Sequence, residues 1–104
     1  MAPKIPDKYF NYECEDYFQG AWPEDGFFDD ASQTLLIVPV NEAYVDEKAG
    51  FFAVGHSGAG GIDFGYRKHQ SGIWAFYPID HEFKFMANSI QALVEGWCSG
   101  HLSV

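Results

Sequence analysis

Gly55-His56-Ser57-Gly58-Ala59-Gly60-Gly61 places a histidine and a serine among four glycines, between two apolar, strand-like runs. Three chemistries compete for it. A nucleophile elbow reads G-x-S-x-G, joins a strand to a helix, and draws on an acid and a histidine later in the chain. Here Ala59 stands where the last glycine belongs, the residues that follow read as another strand, and 104 residues are too few for the parallel sheet that carries such a triad. A phosphate-binding loop needs a Gly-Lys-Ser or Gly-Lys-Thr ending that opens a helix; no lysine lies between Lys48 and Lys68. The dinucleotide fingerprint fails because Asp63 occupies the place of its third glycine. The loop therefore reads as structural, a set of positions needing positive φ or a close backbone approach that a Cβ would block.

Metal chemistry has little to work with. His56, His69, His81 and His101 form no HxH, HExxH or HxxxH pair, and the cluster Asp80-His81-Glu82 reads as a solvated turn after a strand. Neither a metal nor a cofactor is expected. Cys14 and Cys98 stand far apart and outside any CxxC arrangement, so they are expected to be reduced fillers rather than a disulfide framework.

Charge is the stronger signal. The formal net charge is −9, and all of it lies in residues 1–47, where 11 acids face only Lys4 and Lys8; residues 48–104 are balanced. Such a surface repels the phosphates of nucleic acid and attracts a basic partner. No apolar run is long enough to span a bilayer, and the opening MAPKIPDKYFNY lacks the pattern of a signal peptide, so neither a membrane nor secretion is expected and the expected compartment is the cytoplasm.

The elements that would hold these residues fit one α+β domain over 1–104, with an acidic, aromatic-rich segment at 1–33 and a core at 34–98. Hydrophobic residues make up 47% of the chain and aromatics 18%, enough for a packed core. In the stretch YFNYECEDYFQGAWPEDGFF (9–28), Phe10, Cys14, Tyr17 and Phe18 recur at helical spacing, with Asp7 as a cap and Gly20 as a stop. TLLIVPV (34–40) reads as a strand whose Pro39 marks its end, and NEAYVDEKAG (41–50) as a short helix capped by Asn41 and closed by Gly50. FFAVG (51–55), IDFGYRK (62–68) and IWAFYPI (73–79) form an antiparallel meander with short turns. ANSIQALVEGW closes the pattern: behind an Asn88 or Ser89 cap, Ile90, Leu93, Val94 and Trp97 make one apolar stripe for packing on the sheet.

With its glycine run, the "DFGYR" strand, the aromatic strand IWAFYPI and the closing helix, the chain over residues 34–98 resembles the SUKH superfamily, the group of a yeast cell-wall regulator and its bacterial relatives. It departs from that pattern at Ala59 and in its short N-terminal region. The resemblance implies a curved antiparallel sheet with helices packed on one face, and no catalysis. It makes Gly55, Gly58, Gly60, Gly61, Phe64 and Gly65 scaffold positions. Many bacterial members are immunity proteins that bind and neutralise a toxin domain, often a nuclease.

Carboxylates standing in for phosphates are a direct way to cover a nuclease site. The expected partner-facing residues are Glu13, Glu15, Asp16, Glu24, Asp25, Asp29 and Asp30, with Tyr12, Tyr17 and Trp22 as aromatic anchors among them. Two other readings stay open: a small-molecule-binding or regulatory module with a pocket lined by Trp74, Phe76 and Trp97, and a small enzyme using Ser57, His56 and Asp63. An exposed edge of the meander could also pair with a second copy of the chain.

Overall fold

The computed structural model describes residues 7–58 and 60–102; the side chains of Asp7, Lys8 and Phe10 lie outside this set, and with them the cap expected of Asp7 and the packing expected of Phe10. Ala59 lies outside it too. The chain opens with a 3-10 helix, Asp7–Tyr12, and two short α-helices, α1 (Glu15–Gln19) and α2 (Trp22–Asp25). The helical spacing read over 10–18 is thus present but broken, because Glu13 takes a positive φ of 50°. The break turns Tyr9, Tyr12, Cys14 and Tyr17 into the core together.

Two sheets follow. Strands β1 (Phe27–Asp29) and β2 (Thr34–Ile37) form a hairpin. Strands β3 (Tyr44–Asp46), β4 (Phe51–His56), β5 (Asp63–Arg67), β6 (Ile73–Tyr77) and β7 (Glu82–Ala87) form a five-stranded antiparallel sheet in chain order. Helix α3 (Ile90–Cys98) completes the α+β fold. The meander expected at 51–79 is there, and Pro39 follows β2 as a strand stop should.

The helix expected over 41–50 is instead the edge strand β3 and its turn. Tyr44, Val45 and Asp46 pair with Ala53, Phe52 and Phe51, so the segment gains a ladder that an isolated acidic helix would lack. The residues that resembled helix punctuation serve a hairpin: Asp46 Oδ1 accepts from Ala49 N at 3.1 Å, and Gly50 takes φ 64° in the turn. The solvated turn expected over Asp80-His81-Glu82 takes in Asp80 and His81 but not Glu82. Glu82 begins β7.

One face of the large sheet carries the main core. Phe52, Val54, Phe64, Tyr66, Ile73 and Ala75 meet Ile90, Leu93 and Val94 of α3, the N-terminal tyrosines, and Leu36 and Ile37 of β2. The opposite face carries a smaller aromatic cluster of Phe51, Ala53 and Phe76 flanked by Trp74 and Phe83. Helix α3 starts where its sequence says it should: Ser89 is extended and its Oγ accepts from Ala92 N at 3.1 Å, satisfying one of the donors left open at a helix N-terminus.

Candidate functional site

The glycines of the 55–65 motif are accounted for by close packing at some positions and by backbone angle at others. A Cβ at Gly55 would run into the carbonyl oxygen of Leu36, because β2 crosses β4 there and Val38 N donates to Val54 O at 2.8 Å. A Cβ at Gly65 would meet the carbonyl of Phe52 and the ring of Phe51. Gly58 turns with φ 77° against the Thr34 side chain, and Gly60 and Gly61 take φ 56° and 74°. Phe64, fully buried, stacks edge-on with Trp97 at 5.5 Å.

The same loop closes a polar cluster. His56 and Asp63 face each other across the hairpin, with Nδ1 of the imidazole 2.8 Å from Asp63 Oδ1, and Tyr44 Oη donates to Asp63 Oδ2 at 2.7 Å. An ionised carboxylate only accepts, so Nδ1 is the donor of this pair. Burial and the adjacent Asp63 push the Tyr44 hydroxyl pKa well up. Of the three residues that a small enzyme would need, the fold brings His56 and Asp63 together, while Ser57 is only 4% exposed. Tyr44 was not legible as a member, since it joins only through the β3–β4 pairing.

The acidic candidates divide into two groups. Glu13, Glu15, Glu24, Asp25 and Asp30 are exposed. Asp16 and Asp29 are engaged inside the molecule. Asp16 Oδ1 accepts from Tyr66 Oη at 2.7 Å and Oδ2 from Ile90 N at 2.6 Å, so this carboxylate caps α3 from the other end of the chain. Asp29 Oδ2 accepts from Ser32 Oγ at 2.6 Å and from Trp97 Nε1 at 3.2 Å. The Ser32 hydrogen bond, aided by Ala31 and Ser32 N–H groups and by Trp97, holds its carboxyl below the usual range.

The aromatic anchors are corrected in the same way. Tyr12 and Tyr17 do not face outward: Tyr17 is fully buried and donates to Val38 O at 2.7 Å, and burial raises the pKa of both phenols. Burial, with the charge of Glu15, also pushes the Cys14 thiol up to about 12, so it is an inert filler. Trp22 is half-buried, edge-on to Phe27, and with Gly20, Asp25, Gly26 and Gln91 it lines a shallow groove of about 270 Å³ between α2 and the start of α3. An aromatic ring beside carboxylates suits a basic side chain with an apolar stem.

A pocket lined jointly by Trp74, Phe76 and Trp97 does not form. Trp74 and Phe76 lie on the outer face of the sheet, where the Arg67 guanidinium sits 4.8 Å from the Trp74 ring and 4.0 Å from that of Phe83. Trp97 packs on the inner face. Among the described residues no group of three or more potential metal ligands comes together, and no helix is long and apolar enough to cross a membrane. No family model, curated protein or solved structure matches the chain.

Proposed function

We propose that this protein is a non-catalytic, protein-binding inhibitor of the immunity type, which neutralises a basic toxin domain by covering it with an acidic surface. The observation that carries this reading is the segregation of charge along the chain: the net −9 lies in residues 1–47, the candidate carboxylates Glu13, Glu15, Glu24, Asp25 and Asp30 are exposed, and Asp25 lines the groove beside the half-buried Trp22. A nuclease would be a natural target, because its site is built to attract phosphates and carboxylates compete for the same field.

Sequencing the DNA that flanks the gene supplies the partner to test, a large secreted protein with a basic C-terminal domain. Titrating that domain with the full chain should give a 1:1 complex whose affinity falls as salt rises. Reversing Glu15, Glu24 and Asp25 to lysine should weaken it by about 100-fold or more, since each places like charges in contact. Unchanged affinity in that triple variant, or a complex indifferent to salt, would remove the acidic surface from the account.

A further inference from the structure

The large sheet has two edges, and they differ in chemistry. On the β3 side the strand is three residues long, Tyr44–Asp46, with one acid and no base, so a second copy laid against it would gain no ion pair. On the β7 side the edge runs for six residues, Glu-Phe-Lys-Phe-Met-Ala, and its outer side pairs with no strand among the described residues. Helix α3 packs at the Met86–Ala87 end, where both residues are buried, and leaves Glu82, Lys84 and Phe85 exposed, Phe85 by 47%. Phe85, edge-on to Trp74 at 5.3 Å, stands beside this open edge, where a partner strand laid on β7 would cover it.

The pattern of this strand is complementary to itself. Laid antiparallel on a second copy with Phe83 opposite Phe83, Glu82 falls opposite Lys84 in both directions, while Phe85 falls opposite His81. Opposite charges and aromatic pairs directly across a ladder favour pairing; like charges oppose it. A lysine ammonium has three donors, so a contact made within its own chain does not exclude the one across the pair. The register also continues the outer aromatic row, since Phe83 stacks on Phe76 at 5.0 Å and Phe76 packs on Phe51 at 5.4 Å. Residues 48–104, to which β7 belongs, carry four acids and four bases and so add no net charge to the repulsion between two copies.

We propose that the chain forms a two-fold homodimer through the β7 edge, joining two five-stranded sheets into one, with Phe83 on the axis and two reciprocal Glu82–Lys84 contacts. None of the carboxylates assigned to a basic partner lies on β7, so this dimer and that binding reading stand or fall separately.

Sedimentation velocity on the full chain, over a concentration series at low salt, tests it. The native chain should sediment as a dimer. Lys84→Glu sets four acids against one another and should weaken self-association by about tenfold or more. The charge-swapped variant Glu82→Lys/Lys84→Glu should restore it, which a variant that had merely lost its fold could not do. A monomer at every concentration, a dimer unmoved by Lys84→Glu, or a swap that fails to restore association would each overturn the proposal.

Discussion

A carboxylate with a hydrogen-bonding partner inside its own molecule does different work from one that faces water. Asp16 accepts from the buried Tyr66 hydroxyl and from the first backbone N–H of α3, so it ties α1 to a helix 74 residues away. Asp29 does the same between the β1–β2 turn and Trp97. Because the folded state lowers the Asp29 pKa below its ordinary 3.8, the stabilisation it gives is fully present above that value and is lost as pH falls through the folded pKa. Chemical denaturation of the native chain and of Asp29→Asn should therefore give a stability difference in favour of the native chain that is constant from neutral pH down to about 5 and shrinks steadily below about 4. A difference that persisted unchanged to the most acidic point would mean that the Asp29 charge contributes nothing to the fold.

At the scale of elements, β2 approaches β4 closely at Gly55. Gly55 is required there by a neighbouring carbonyl, whereas Gly60 is required only by its backbone angle, with nothing within 4 Å of where its Cβ would be. Gly55→Ala should cost about 2–3 kcal/mol, because β2 has to move off the sheet. Gly60→Ala should cost about 1 kcal/mol from its left-handed conformation alone. Urea denaturation of the two variants checks this, and equal costs would mean that the close approach at Gly55 is relieved as cheaply as the backbone strain at Gly60. The same contrast explains what the sequence could reveal. Helix α3 and strands β4 to β6 carry their own periodicity, caps and turns, so they were legible. Strands β1 and β3 are three residues each, too short for alternation to register, and β3 exists because β4 offers it a ladder. The charge of the candidate surface was legible as composition. That Asp16, Tyr12 and Tyr17 are drawn inward, and that Asp29 meets Trp97 as well as the nearby Ser32, was not, since Tyr66, Ile90, Phe52, Val38 and Trp97 lie 21 or more residues away from the groups they meet.

For the molecule as a whole, a net charge of −9 on 104 residues is a source of self-repulsion, and concentrating it in one segment increases the effect. Acids that serve binding need not serve the fold. Neutralising exposed acids that make no favourable local contact should therefore stabilise the chain while weakening its hold on a basic partner. Glu13 and Asp30 suit the test; Glu15 and Glu24 are better left, because a carboxylate in the first turn of α1 or α2 is favoured by the helix dipole and would blur the result. The variant Glu13→Gln/Asp30→Asn should melt roughly 1–3 °C above the native chain at low salt. Near 1 M salt, where the Debye length falls to about 3 Å, the advantage should largely vanish. A lower melting temperature at low salt would mean that these carboxylates are held by attraction within the molecule, and the reason to look for a basic partner against them would be gone.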